Sequence, residues 1–421
     1  MSKNGKRWLT VVVLATLLLT LLLVGQGLAQ SALTAKETLG EFLYFDENLS
    51  EPDGQACASC HTPEVGFDDP DAHLPVSEGV ISGLFGGRNS PASAYAMYAP
   101  TRYFDEVEGL WIGGQFWDSR ATGEVLGDPL ADQALGPFLN PVEMANLEKS
   151  TVVRDAMSGP YGGLFVEVCG RGNVHSKKYV EAAYDCIAEA IGLFERTSLF
   201  AQFDSKYDAY LQACLMGGGL PDECAMGIGK EAKMAGKIFT QEEWKGLQLF
   251  MGENNNDGVM RPGEGAMCAA CHVANFTPDP GNVVVPSWAP AGLVPPVFTD
   301  FTYDNLGVPV NPAIAALIGE PQPTDLGLGA VVGAEAENGK FKVMTLRNIG
   351  LTAPYTHNGL FTTLEEITHF YNTRDVPEEG WAAAEVPDTV NVDELGNLGL
   401  SSQDEAALVA FMKTLSDGWT P

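Results

Sequence analysis

The chain has 421 residues of which 45% are hydrophobic, enough apolar content to bury two or three ordinary cores, and this excludes a disordered protein. Its 55 Asp and Glu against 24 Lys and Arg give a formal net charge of −31, which excludes nucleic acid as a partner because phosphates would be repelled. A basic redox protein would be steered toward such a surface at a rate that falls with salt, although general solubility or a saline habitat accounts for the charge equally well.

In chain order, Lys6 and Arg7 precede an apolar run from Trp8 to Val24 and then small residues including Gly25, Gly27 and Ala29. Basic, greasy and small in that order is the plan of a secretory signal peptide over residues 1–29, with an uncleaved anchor as the alternative. An exported, periplasmic protein is therefore expected. The next segment, Leu39-Gly-Glu-Phe-Leu-Tyr-Phe, reads as a short amphipathic helix that leads through a loop to Cys57-Ala-Ser-Cys60-His61. Residues from about 146 to 235 carry four scattered cysteines, Cys169, Cys186, Cys214 and Cys224, and a helical stretch from Tyr179 to Phe194. They read as an insertion elaborating the first domain, residues 30–235. In an oxidising compartment four cysteines fit two disulfides, and short loops favour Cys169 with Cys186 and Cys214 with Cys224. The second domain, residues 236–421, opens on the capping box Thr240-Gln-Glu-Glu243. It repeats the earlier plan: Leu247-Gln-Leu-Phe, a polar loop from Gly252 to Gly265, then Cys268-Ala-Ala-Cys271-His272. Residues 277–334 are rich in Pro and Gly and read as long loops. Near the end, Ser402-Gln-Asp-Glu405 reads as another capping box, followed by Leu408, Phe411, Met412 and Leu415 at helical spacing.

Cys-x-x-Cys-His has a direct chemical logic: the two thiols add across the vinyl groups of a haem, and the adjacent histidine is held against one face of the iron. A lone Cys-x-x-Cys would also suit a redox dithiol or half of a zinc site. Two copies behind matching helices, each followed directly by histidine, instead assign Cys57, Cys60, Cys268 and Cys271 to two covalent c-type haems, with His61 and His272 as proximal ligands. The opposite face of each iron stays open to several donors: His73, His175, His357 and His369, or Met267, Met344 and Met412 in the second half.

Several ordered runs together resemble the bacterial dihaem cytochrome c peroxidase family, which includes MauG-type enzymes. They are Phe116-Trp-Asp-Ser-Arg120, Gln133-Ala-Leu-Gly-Pro137, Asn140-Pro-Val-Glu-Met144, Asp304-Asn-Leu-Gly-Val-Pro309, and Thr345-Leu-Arg-Asn348 followed by Thr352-Ala-Pro-Tyr-Thr-His-Asn-Gly359. The resemblance implies a mainly α-helical chain with two cytochrome c-like domains, each with one covalently bound haem, the N-terminal one for hydrogen peroxide and the C-terminal one for receiving electrons. It places Glu143 at the distal acid-base carboxylate, with Gln133 and Pro137 beside it, and Trp117 at an inter-haem relay. It places a calcium ion at Asn89, Thr352 and Pro354. A cytochrome c or small copper protein is the usual donor.

Two departures from the peroxidases of this family stand out. Where they hold a histidine that blocks the peroxide haem, this chain has Val80, which cannot bind iron, although His73 is nearby. Fourteen residues after His357, where they have a methionine ligand, this chain has Tyr371, as MauG-type enzymes do. A phenolate favours ferric and higher iron, whereas a thioether raises the potential; His369 or a methionine is the alternative ligand. The leading expectation is a peroxidase. A MauG-type enzyme that oxidises residues of a protein partner follows, and then an electron-transfer dihaem cytochrome without turnover. The sequence carries no signal for oligomeric state.

Overall fold

The computed structural model describes residues 32–252 and 265–420, so the leader and most of the polar loop before Cys268 lie outside the described residues. Residues 36–421 form one compact unit. Its helices are α1 (Ala35–Tyr44), α2 (Cys57–Cys60), α3 (Pro129–Ala134), α4 (Lys149–Ser158), α5 (Gly162–Cys169), α6 (Lys177–Phe194) and α7 (Lys206–Met216). They continue as α8 (Pro221–Met226), α9 (Gly229–Ala235), α10 (Gln241–Phe250), α11 (Pro312–Ile318), α12 (Leu328–Val332), α13 (Leu364–Thr373) and α14 (Ser402–Lys413). Among the described residues, strand is confined to three antiparallel ladders: β1 (Tyr103–Asp105) with β2 (Leu110–Ile112), β3 (Thr277–Pro278) with β4 (Leu293–Val294), and β5 (Tyr303–Asp304) with β6 (Phe341–Lys342). No described helix is long and apolar enough to cross a membrane.

The duplication expected from the sequence is visible in how helices cross. In α1, a side chain on Gly40 would collide with the carbonyl of Ala190 and with Phe194 of α6. In α10, Gly246 meets the carbonyl of Ala407 and Phe411 of α14 in the same way. In each pair the glycine lets two backbones touch, and a phenylalanine four residues beyond the contacted carbonyl fills the space beside it.

Two large cores follow. Leu39, Leu43 and Tyr44 of α1 join Ile187, Ile191 and Phe194 of α6 in the first. Leu247 and Phe250 of α10 join Leu408 and Phe411 of α14 in the second. A smaller third cluster gathers Phe361, Leu364 and Phe370 around α13.

This packing corrects the reading of residues 146–235 as one insertion on the first domain. Helix α6 is an integral wall of the first core, the counterpart of α14 in the second. Tyr207, Tyr210, Leu211, Cys214, Cys224 and Ala232, by contrast, pack in the second core. Sequence order put α7 to α9 before Thr240 and so with the first half, but their apolar faces found Leu247 and Phe298. The disulfides are Cys169–Cys186 and Cys214–Cys224, the short-loop pairing. The box at Thr240 and Glu243 caps α10. The last helix starts one residue earlier than read, with Ser401 and Asp404 as its box, because their side chains exchange bonds with each other's backbone N–H. The Pro- and Gly-rich stretch is also less bare than expected. Asn311 caps α11, with Pro312 at its first turn and Gly319 in the left-handed conformation at its end.

One residue ties the two large cores together. Arg347 is fully buried, pairs with Asp208 at 2.7 Å and donates two hydrogen bonds to the carbonyl of Pro296. Its guanidinium lies near the rings of Tyr95 and Phe203 from the first core and of Tyr207 and Phe298 from the second.

Candidate functional site

Each Cys-x-x-Cys-His motif forms a tight turn at the wall of its own cavity. In both, the histidine N–H closes the turn on the first cysteine's carbonyl, at 2.9 Å from His61 to Cys57 and 2.9 Å from His272 to Cys268. The Nδ1 of His61 lies 3.3 Å from the carbonyl oxygen of Phe67, and that of His272 lies 3.0 Å from that of Phe298. A carbonyl can only accept, so Nδ1 carries the proton and Nε2 is the nitrogen left for iron. Burial lowers both imidazole pKa values and keeps the rings in the neutral form that a metal needs.

The four motif cysteines are free thiols, whereas the other four form disulfides. Burial pushes Cys60 and Cys268 up to about 12, with Asp69 adding to the effect on Cys60. Cys57 and Cys271 are raised further still, by burial first. A reactive dithiol or a thiolate zinc site needs the opposite shift. Buried polar atoms without partners belong to residues lining the same spaces, among them Gln55 Oε1 and Glu195 Oε2 at the first cavity and His357 Nε2 at the second. Apolar walls, neutral thiols, a preset imidazole and unpaired polar atoms are a donor set that fits one thioether-bound haem in each cavity.

The first cavity gathers His61, Gln133, Pro137, Glu143, Trp117 and Asn89. Gln133 comes from α3, which Asp128 caps and Pro129 opens. Glu143 comes from the turn Asn140 to Met144. There Asn140 uses its Oδ1 to accept from Val142 N–H and its Nδ2 to donate to Glu143 Oε1 at 2.6 Å. Burial raises the Glu143 pKa, opposed by the charge of Arg120 and by the Asn140 hydrogen bond. The Val80 N–H donates to the Glu143 carbonyl, so the loop holding Val80 braces the carboxylate's backbone. His73 is exposed and does not line this cavity, and His175 is exposed as well. Among the described residues, His61 is the sole histidine at this wall, and Met144, packed into the first core, is the one thioether there.

The second cavity gathers His272, Tyr371, Met267, Met344 and His357. Tyr371 sits on α13, its carbonyl accepting from Gly396 N–H at 2.7 Å. Burial pushes its phenol well up. Two alternatives fall away. His369 spends Nδ1 on Glu405 at 2.9 Å and Nε2 on Glu379 at 3.3 Å, outside the cavity, and Met412 packs against the third cluster.

Trp117 lines both cavities, and its Nε1 donates to the carbonyl of Asn89 at 2.9 Å. Asn89 also lines both, and Thr352 and Pro354 line the second, so all three border that cavity. The one group of three or more His, Cys, Asp or Glu ligand atoms among the described residues is Cys271 with Asp304 and Glu394, and it includes none of these three residues.

Sequence reasoning passed over Glu195 and Lys342, and it named His357 only as one of several donors open to either iron. Burial, with Asp128 adding and Arg196 opposing, pushes Glu195 up to about 8. His357 stacks on Phe341 at 3.5 Å and is lowered by burial to about 3. Lys342 is buried in the second cavity's wall against the carbonyl of Gly114, and burial lowers it to about 7. A lone Glu, His or Lys has no spacing to betray it, and only the walls packed around these three make them unusual.

Comparison with known proteins agrees with the site. A family model for di-haem cytochrome c peroxidases matches residues 34–214. The chain is 34% identical over 421 residues to the methylamine utilization protein MauG of Paracoccus denitrificans, across 95% of this chain and 94% of that one. It is 27% identical to the cytochrome c551 peroxidase of Nitrosomonas europaea, across 90% of this chain and 79% of that one. The crystal structure of the diheme peroxidase BthA from Burkholderia thailandensis superposes with a TM-score of 0.71 at 28% identity, across 93% of this chain and 88% of that one. From the motifs, the paired cavities and these likenesses, the chain belongs to the bacterial di-haem cytochrome c peroxidase and MauG family, oxidoreductases built around two haems.

Proposed function

We propose that this protein is a periplasmic peroxidase that reduces hydrogen peroxide in the cavity of His61, with electrons arriving through the cavity of His272. What carries this reading is the meeting of His61, Glu143 and Gln133 in one cavity, with Trp117 on the wall it shares with the other. Haems held by thioether bonds at Cys57 and Cys60, and at Cys268 and Cys271, supply the redox chemistry. The chain's own residues supply proton handling. Glu143 takes a proton from one oxygen of peroxide and returns it to the other as the O–O bond breaks, which needs a carboxylate that is ionised at rest and basic enough to be protonated in passing. Its raised pKa serves the second need, and Asn140 fixes the oxygen it holds. Gln133, on the same wall, orients peroxide. The indole of Trp117 offers a stepping stone between the two cavities that a saturated side chain lacks.

In this proposal Tyr371 would join His272 in holding the second haem, and Asn89, Thr352 and Pro354 would hold a calcium ion through one amide and two backbone oxygens. Export to the periplasm is supported by the leader and by two disulfides. A cytochrome c or a small copper protein is the donor. The presence of Tyr371 in the second cavity favours one further reading, a MauG-type enzyme that stores oxidising equivalents and spends them on residues of a protein partner. Adding peroxide separates the two. Rapid steady-state turnover with reduced cytochrome c supports the peroxidase, whereas a long-lived oxidised spectrum with little turnover supports protein oxidation.

A further inference from the structure

Between Asn89 and Trp117 the chain makes a detour through the hairpin of β1 and β2, and this hairpin turns apolar side chains to solvent. Phe104 stands opposite Trp111 with ring centroids 5.2 Å apart, and Arg102 lies over the Trp111 ring. Tyr103 is 47% exposed and Val107, at the tip, 89%, with Phe104 and Leu110 also open. By strand alternation Tyr103 and Leu110 share one face of the ribbon while Phe104 and Trp111 share the other, so the face of Tyr103 and Leu110, with Val107 at the tip, offers exposed apolar surface of the kind that marks contact sites.

The hairpin is not a loose flap. Two strands alone are marginally stable in water, but this pair is clamped at its base. Arg102 N–H donates to the Thr122 carbonyl and Gly114 N–H to that of Pro100, both at 2.8 Å. Gly113 donates to Phe301 and accepts from the Tyr303 hydroxyl. Asp105 accepts from the N–H groups of Val107 and Glu108 and so fixes the tip, leaving Glu106 and Glu108 exposed as an acidic rim.

Its position matters as much as its surface. Gly113 is bound to the segment that becomes β5, whose Asp304 lines the second cavity, and β2 runs on through Phe116 into Trp117, which lines both. From this position, apolar centre and acidic rim on a chain of net charge −31, we infer that the hairpin is the docking face for a small basic electron-transfer protein. The partner's apolar patch covers Tyr103, Val107 and Leu110, and its surrounding lysines meet Glu106 and Glu108. The inference rests on the proposed peroxidase reading only in that electrons come from a protein.

The test uses the holoenzyme, a basic cytochrome c as the probe partner, and tetramethylphenylenediamine as a small reductant that needs no docking. Tyr103→Ser with Leu110→Ser should weaken cytochrome c binding at least tenfold, because loss of a central aromatic anchor is among the costliest changes at an interface. Turnover with the small reductant should be unchanged. Glu106→Lys with Glu108→Lys should slow association about tenfold at low salt and flatten its salt dependence. This second variant changes only the exposed tip, so it decides the matter if the first fails to fold. Unaltered cytochrome c binding in the variants that fold, or no binding by the wild type at low salt, overturns the docking face. Absence of peroxide turnover with the small reductant in the wild type instead overturns the peroxidase reading, and the binding measurement still judges the hairpin.

Discussion

The two cavities share one plan on the side of the Cys-x-x-Cys-His turn and part company on the other. In each, a glycine-bearing helix presses onto a partner helix, and a backbone carbonyl fixes the Nδ1 of the motif histidine. Beyond that shared plan, the first cavity is lined by Glu143 and Gln133, while the second is lined by Tyr371, Met344 and His357. One wall can handle protons, and the other can set the electronic state of an iron. The shared half comes from helices and motif turns; the differing half comes largely from the turns and loops those helices carry, where function diverges at least cost to packing.

The largest test of the likeness is removal of attachment. Cys57→Ala with Cys60→Ala, or Cys268→Ala with Cys271→Ala, should each cut the haem retained by the denatured protein from two per chain to one. Release of haem from the unaltered chain by acidic solvent would break the comparison at its root.

Next in size is the junction between the two cores. Arg347→Met leaves Asp208 buried without its partner, and breaking one side of a buried pair costs about 3–5 kcal/mol. Urea denaturation should show that loss, and a shift below about 1 kcal/mol would mean that the cores do not depend on this contact.

Glu143→Gln sharpens the difference between the cavities. It keeps the shape and removes the base, so reaction with peroxide should slow by about a hundredfold or more. In the unaltered enzyme the base must be ionised, so the rate should fall as pH drops through a midpoint above the usual carboxylate range, as the raised pKa requires. An unchanged rate in the variant would take Glu143 out of the mechanism.

Resting-state electron paramagnetic resonance reads the two cavities side by side. With Val80 in place of a blocking histidine and His73 exposed, one high-spin and one low-spin ferric signal are expected, and peroxide should react without prior reduction. Two low-spin signals would show a second ligand in the first cavity, Met144 being the donor at hand. Tyr371→Phe should abolish the low-spin signal of the second haem, and its survival would pass the ligand role to Met344, Met267 or His357.

A last test, on stability and not on the chemistry, lies at Glu195. It caps the C-terminal end of α6, where the helix dipole also disfavours a negative charge. Its folded pKa of about 8 stands above the unfolded value of about 4.3. The folded state therefore binds the extra proton, and stability is lost as pH rises between those two values. Glu195→Gln should flatten that part of the stability profile; an identical slope in both proteins would show that the carboxyl titrates normally.

The two Cys-x-x-Cys-His motifs were legible in the sequence because the chemistry they suit demands a fixed local spacing, and local spacing survives without knowledge of the fold. The helices around Gly40 and Gly246 and the cap at Thr240 were legible for the same reason. Glu143, Gln133 and Trp117 could be named only through motif resemblance, since an isolated carboxylate, amide or indole carries no periodic signal. What the tertiary structure alone decided is which distant segments meet. It sent α7 to α9 to the second core although they precede Thr240, engaged His369 at the surface while placing His357 unpaired in the second cavity, and put Trp117 on a wall common to both cavities. Each of these depends on long-range packing of apolar faces, whose partners are chosen by shape and burial over hundreds of residues rather than by neighbours in the chain.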